Sequence, residues 1–189
     1  MLLKDNISEE TPLLGIEPSC ILTFRDEYIS LSHELQQDAR HLAKNCLLID
    51  EFLWREIQKG NIKKEDFNNK EENILLHGHC YQKALAKIDI LKKVLEFPEN
   101  RHVELIETGC CGMAGAFGYE KKHYALSQQI GEQKLFPTIR DKGENTIVVA
   151  PGTSCRTQIH DGTGVTALHP VQFLLKSMNN VLNQIHINQ

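Results

Sequence analysis

The sequence predicts an α/β fold: a parallel sheet flanked by helices, with an incomplete first copy of an internal repeat ahead of it. Three observations lead there. Short apolar runs of strand length alternate with amphipathic stretches over the last two thirds of the chain. Each of the first three runs is followed by a turn carrying glycine and cysteine. Leu14-Gly15-Ile16-Glu17-Pro18-Ser19-Cys20 also resembles Val149-Ala150-Pro151-Gly152-Thr153-Ser154-Cys155, each apolar at first, then with small or proline residues, then Ser-Cys opening a helix.

In chain order, residues 1–12 read as a loose N-terminus, and residues 13–73 as what is left of a first repeat, with a long helix and a loop. Pro18 suits the start of that helix, whose apolar stripe runs Leu31, Leu35, Ala39, Leu42, Cys46, Ile49, Leu53 and Ile57. Gly60 and the Lys/Asn-rich stretch to Asn73 read as an exposed loop. Residues 74–189 read as a cysteine-rich domain. Its strands are Ile74–Leu76, Val103–Ile106, Thr146–Ala150 and a shorter one at Val165–Leu168. Helices are expected from about Tyr81 to Pro98, from Lys122 to Ile139 with Pro137 as kink or stop, after Cys155, and from Pro170 to about Leu182.

Composition narrows the function. The 189 residues carry a formal net charge of −4, which argues against a nucleic-acid binder. No apolar run approaches the roughly 20 residues of a membrane span. Lys4 interrupts the start before a signal-peptide core could form, so the expected location is cytoplasmic, with peripheral attachment at the inner membrane face as a variant. Six dispersed cysteines in such a chain suggest metal binding or catalysis rather than a disulfide framework.

In a parallel sheet, ligands collect beyond the carboxyl ends of the strands. The turns there carry Cys80, the pair Cys110/Cys111, and Cys155, so distant thiols are expected to meet at one edge. A cysteine opening a helix is favoured as thiolate, the form that binds metal, and Cys80, Cys111 and Cys155 are read in that setting. Arg156 adds a positive charge beside Cys155. Adjacent thiolates reach one zinc ion only with strain, whereas a cluster offers them separate irons. Gly109, Gly112 and Gly115 would let the backbone approach closely and point N–H groups at sulfur. Cys46, on an apolar stripe, reads as core. His77 and His79 flank Cys80 as hydrogen-bond partners of sulfur or as orienting groups. His169 before Pro170 reads as fixing a turn, and His123-Tyr124 as a solvated helix start.

The segments His77-Gly78-His79-Cys80-Tyr81-Gln82-Lys83-Ala84, Gly109-Cys110-Cys111-Gly112-Met113-Ala114-Gly115, Phe117-Gly118-Tyr119-Glu120 and Pro151-Gly152-Thr153-Ser154-Cys155-Arg156 resemble the cysteine-rich CCG domain. That family includes subunits of heterodisulfide reductase, iron–sulfur subunits of glycerol-3-phosphate and glycolate oxidation, and the C-termini of FAD-linked dehydrogenases. The nearest likeness is to the dehydrogenases, which oxidise 2-hydroxy acids such as D-2-hydroxyglutarate or D-lactate. Glu17–Tyr28, Leu135-Phe136-Pro137 and His169-Pro170 add to it.

The resemblance implies a CCG-type half-repeat with a truncated first copy. It implies an iron–sulfur cluster, 4Fe–4S above all, on Cys80, Cys110, Cys111 and Cys155, with Cys20 as a fifth candidate. It implies no catalytic residue in this chain, since FAD would sit on a partner subunit or on the upstream half of a split dehydrogenase. The electron acceptor would be a quinone or carrier protein. Two departures stand out: Gly152 and Glu17 occupy positions where the family has cysteine, and Tyr81 and Thr157 stand where relatives often have histidine. The competing readings are a structural zinc module, metal-free thiol chemistry at Cys110/Cys111, and an inactive truncated fragment.

Overall fold

A computed structural model describes residues 4–179. The central sheet has the order β4–β3–β5 and is parallel throughout, formed by β3 (Glu72–Leu76), β4 (Arg101–Leu105) and β5 (Thr146–Val149). Its register sets Ile74 against Val103 and Ile147, and Leu76 against Leu105 and Val149. Because successive side chains in a strand point to opposite faces, β3 feeds two cores. Leu75 packs with Val148, Phe136 and Ile159 on one face. Ile74 and Leu76 pack with Val149, Leu91, Leu95 and Phe173 on the other. Burial on both faces is what a near-continuous apolar run in a parallel sheet requires. The expected fourth strand shrinks to one parallel bridge, Val149 with Leu168, closed by Ala150 N–H to Leu168 O (2.9 Å) and Leu168 N–H to Val148 O (2.8 Å).

The long helix expected before the loop is broken. It becomes α1 (Pro18–Ile21), α2 (Glu27–Leu31) and α3 (Gln36–Asn45), then strand β2 (Cys46–Leu48), then α4 (Ile49–Gln58). Cys46-Leu47-Leu48 pairs in parallel with β1 (Leu13–Gly15), so a run that fits a helical stripe is drawn into a strand by its partner. Leu31 and Leu35, counted in that stripe, are exposed. Cys46 is in the core as expected, but from a strand, and burial pushes its thiol pKa up to about 11.

Further along, the helix expected from Tyr81 to Pro98 is two, α5 (Cys80–Leu85) and α6 (Ile88–Glu96), separated by extended backbone at Ala86 and Lys87. The helix expected from Lys122 to Ile139 is also two, α7 (Tyr124–Glu132) and α8 (Leu135–Arg140). Pro137 does not cause this break: it lies within the first turn of α8, where its missing N–H costs nothing. Phe136 is fully buried between two helices, and a Cβ on Gly131 or on Gly162 of α9 (Thr153–Thr163) would come within 2.3 Å of its ring. The last helix, α10 (Pro170–Ser177), ends earlier than expected, at Met178 in extended conformation, and Leu182 lies outside the described residues.

The internal repeat has a structural counterpart. β1, a connection through α1, and β2 in parallel with β1 correspond to β5, α9, and Leu168 bridged in parallel to β5. The next helix then starts the same way in both. Leu48 N–H is accepted by Glu51 Oε2 (2.9 Å) at the start of α4, and His169 N–H by Gln172 Oε1 (2.9 Å) at the start of α10.

The two copies meet at a buried polar contact. Gln82 Nε2 of α5 donates to Asp50 Oδ2 of α4 (3.0 Å). Beside it, Arg25 pairs with Glu51 and donates from Nε to Cys46 O (2.9 Å). Burial raises the Asp50 pKa to about 7, the neighbouring Glu51 charge adding to the shift. A carboxyl with a raised folded pKa stabilises the fold below its unfolded value near 3.9 and loses that contribution as pH rises through the folded value. Asp50→Asn keeps an acceptor for Gln82 and removes the titration. The wild type should therefore lose stability relative to Asp50→Asn between about pH 4 and pH 8, by on the order of 4 kcal/mol at most, read as the difference between their urea midpoints along the pH series.

Candidate metal centre

Parallel pairing sends the carboxyl ends of β3, β4 and β5 to one edge of the sheet. Cys80 begins α5, four residues beyond β3. Cys110 and Cys111 lie in the loop after β4. Cys155 sits in the first turn of α9, after β5. All four thiols line one cavity of about 500 Å³, together with His79 and Gly115. They are graded in depth: Cys80 is exposed, Cys110 half-buried, and Cys111 and Cys155 are 3% and 2% exposed. At the inner end, a ring nitrogen of His77 and the sulfurs of Cys111 and Cys155 lie within 4.8 Å of one another.

The thiols share protons. Hydrogen bonds from Cys111 and then Cys80 hold Cys110 far below the usual thiol range, helped by Gly112 N–H, 3.3 Å from its Sγ. Cys155 is lowered likewise, first by Cys111 and further by His77. Cys80 and Cys111, which donate to these thiolates, are raised, each first through Cys110. Clustering of this kind suits thiolates awaiting a cation. Cys80 and Cys155 have the expected helix-terminus setting; Cys111 does not, because it lies in a loop and α7 begins only at Tyr124.

Buried polar contacts fix the Cys110/Cys111 loop. Gln158 Nε2 donates to Cys111 O (3.1 Å), Ser127 O (3.1 Å) and Ser127 Oγ (2.9 Å), tying the loop to α7 and α9. Lys83 Nζ donates to Thr108 O (2.5 Å) and Gly109 O (2.9 Å). Gly112 has φ +103°, and a Cβ there would lie 2.3 Å from Ser127 O. Gly115, with φ +67°, lines the cavity, and a Cβ on Gly115 or on Gly109 would meet nothing within 4 Å.

The histidines divide by role. His79 Nδ1 accepts from Tyr81 N–H (3.2 Å) and caps α5, so its second nitrogen carries the proton. His169 caps α10 in the same way and donates from Nε2 to Ile16 O (2.9 Å). His77 is fully buried, with Nδ1 bonded to Thr108 Oγ1 (3.1 Å) and its ring beside the Cys155 sulfur, whose pKa it helps to lower. His123 stacks on Phe117 at 4.0 Å and does not line the cavity.

Arg156 directs one guanidinium nitrogen to the carbonyls of Ala150 (2.9 Å) and Pro151 (2.7 Å), closing the end of β5. Cys20 is exposed on α1 and is not part of the cavity lining. Sequence reasoning missed Gln158, Ser127 and Lys83 as supports. The run Thr153-Ser154-Cys155-Arg156-Thr157-Gln158, in which Gln158 is one turn beyond Cys155 on the same helix face, is the signal that could have found one of them.

Glu17 and Gly152, the two departures from the family pattern, are neighbours. The Glu17 carboxylate accepts from Thr153 N–H (2.8 Å) and Thr153 Oγ1 (2.9 Å), the first residue of α9. Although burial opposes ionisation, these bonds hold its pKa below the usual range. A Cβ on Gly152 would lie 2.5 Å from His79 Cδ2 and 3.1 Å from Cys155 Sγ, so the His79 ring occupies the space a side chain would need.

Comparison with known proteins agrees with this geometry. Residues 74–160, which hold all four cavity cysteines, match the CCG cysteine-rich domain. The chain is 26% identical over 167 residues to one subunit of the anaerobic glycerol-3-phosphate dehydrogenase of Escherichia coli, covering 88% of this chain and 40% of that protein. It is 31% identical over 169 residues to D-2-hydroxyglutarate dehydrogenase of Escherichia coli, covering 87% of this chain and 15% of that protein. For D-2-hydroxyglutarate dehydrogenase of Haemophilus influenzae the figures are 26% over 170 residues, with 87% and 16% covered. The chain thus spans well under half the length of these curated relatives. No solved structure matches it significantly.

The two glycines beside the cysteine pair should behave differently. Gly112→Ala forces a side chain into left-handed backbone and against the Ser127 carbonyl, which should cost about 1–3 kcal/mol and lower the metal bound per chain. Gly109→Ala should stay within about 0.5 kcal/mol of wild type. Urea midpoints and metal content of the two variants, measured side by side, check both expectations.

Proposed function

We propose, from the premise that residues 74–160 are a CCG cysteine-rich domain, that Cys80, Cys110, Cys111 and Cys155 hold an iron–sulfur cluster, 4Fe–4S in type. The carrying observation is that these four thiols, from three strand ends, line one cavity. The donor set fits such a group. Four sulfurs suit a four-iron cluster, adjacent Cys110 and Cys111 can serve different irons, and the Gly112 N–H and a His77 ring nitrogen lie near sulfur. Bound there, the cluster would accept and pass on one electron at a time.

The chain's own residues would orient and shield it. Gln158 and Ser127 hold the loop, His79 caps the helix of Cys80, and burial of Cys111 and Cys155 keeps water from the inner side. Cys80 and Cys110 lie toward the mouth, the side from which an electron donor or acceptor would approach.

On this reading the chain is the electron-transfer module of a dehydrogenase acting on a 2-hydroxy acid, and it oxidises no substrate alone. The FAD would sit on a partner subunit or on the upstream half of the dehydrogenase, and a quinone or carrier protein would take the electrons. The names and greater lengths of the relatives support a larger dehydrogenase. Residues 74–189 would form the cluster-bearing domain, and residues 13–73 a partial first copy. No helix among the described residues is long and apolar enough to cross a membrane. The location that goes with this function is the cytoplasm, with peripheral attachment at the inner membrane face as a variant.

Protein purified or reconstituted without oxygen should hold about four irons and matching sulfide per chain and give an EPR signal on reduction. Cys111→Ser should remove most of the iron, while Cys20→Ser and Cys46→Ala retain it. Zinc without iron, with unfolding on chelation, would instead establish a structural zinc module.

A further inference from the structure

We infer that the outer edge of β1 is a docking site for a parallel β-strand of the pattern of β3, polar at its start and apolar over its last three residues, one that does for β1 what β3 does for β5. The identification of that strand as part of the dehydrogenase rests on the function proposed above; the edge itself does not.

The repeat supplies the argument. β5 is sandwiched, with Leu168 bridged on one side and β3 paired along the other. β1 has only the first of these neighbours. It pairs with β2 through Leu13–Cys46, Leu14–Leu47 and Gly15–Leu48, and its other edge has no strand partner among the described residues. The side chains record the difference. Val149 is fully buried, while its counterpart Leu14 is 38% exposed. Pro151 is buried, while its counterpart Ile16 is 61% exposed.

An open strand edge carrying bare apolar side chains is a template for strand addition, in which main-chain hydrogen bonds give affinity and the alternating side chains give register. The occupant's chemistry follows from the second copy, where the covering strand is Glu72-Asn73-Ile74-Leu75-Leu76, parallel, with its last three residues buried. The other free edge in the central sheet, β4, is different in kind. Its Val103 is already buried and its Leu105 half-buried, so little apolar surface is left to cover.

The test uses the full chain and a synthetic peptide of residues 70–78 as a stand-in for that strand. Amide hydrogen exchange across residues 12–16 should slow by roughly tenfold with saturating peptide. The peptide of reversed sequence should have little effect. Leu14→Lys, at an exposed position that the fold tolerates, should abolish the protection, while Leu126→Lys, at an exposed leucine on α7, should leave it intact. Absence of protection at residues 12–16, protection on β4 instead, equal protection by the reversed peptide, or protection that survives Leu14→Lys would each overturn the inference. Iron content, measured on the same samples, reports on the cluster independently, so loss of one reading is distinguishable from loss of the other.

Discussion

Everything at the metal centre follows from the parallel pairing of β3 with both β4 and β5. Parallel strands place all their carboxyl ends on one side, and the turns leaving that side are the only places where residues 80, 110, 111 and 155 can be neighbours. Pairing is enforced by the alternation within β3, which gives Leu75 to one core and Ile74 and Leu76 to the other. A one-residue slip would exchange the faces of every side chain in the strand. It would also move Cys80 by a strand's rise, about 3.3 Å, comparable to the spacing within the thiol group itself. The two-sided burial that holds the sheet in register therefore also holds the ligand geometry.

Bringing four thiols together carries a cost that the fold offsets locally. Like charges at such separations oppose ionisation, and burial opposes it further. The protein offsets this with hydrogen bonds among the thiols: Cys111 and Cys80 lower the pKa of Cys110, and Cys111 lowers that of Cys155. It also pins the backbone from outside: Gln158 reaches Cys111 O, and Gly112 adopts a conformation that brings its own chain against Ser127. The site is thus preorganised by buried hydrogen bonds, which makes the metal-binding geometry depend on residues that never touch the cavity.

Much of this was legible in the sequence because it depends on local signals of the correct period. The three apolar runs became β3, β4 and β5, and the convergence of their cysteines followed from the parallel order. What was not legible depends on partners distant in sequence. Cys46-Leu47-Leu48 fits a helical stripe by spacing, and only β1, some thirty residues earlier, makes it a strand. Val165–Leu168 has strand composition but gains one bridge. The Gln158 contacts join α9 to a loop some 47 residues before it, a relation that no window of local sequence contains.

The pseudo-repeat gives the N-terminal copy a role in shaping the cysteine-lined cavity even though Cys20 lies outside it. The turn after β1 reaches two helix starts of the second copy: Glu17 caps the first peptide N–H of α9, and Ile16 O receives His169 Nε2 at the start of α10. Free N–H groups at a helix start must find an acceptor, and a carboxylate is a strong one. Glu17 thereby fixes the axis of the helix whose first turn holds Cys155. A cysteine at position 17 would offer sulfur but a far weaker acceptor for Thr153, and one at Gly152 would collide with the His79 ring that caps Cys80's helix. The two departures from the family pattern thus act in the same direction: the positions hold contacts that orient the helices of Cys155 and Cys80, beside a cavity lined by Cys80, Cys110, Cys111 and Cys155.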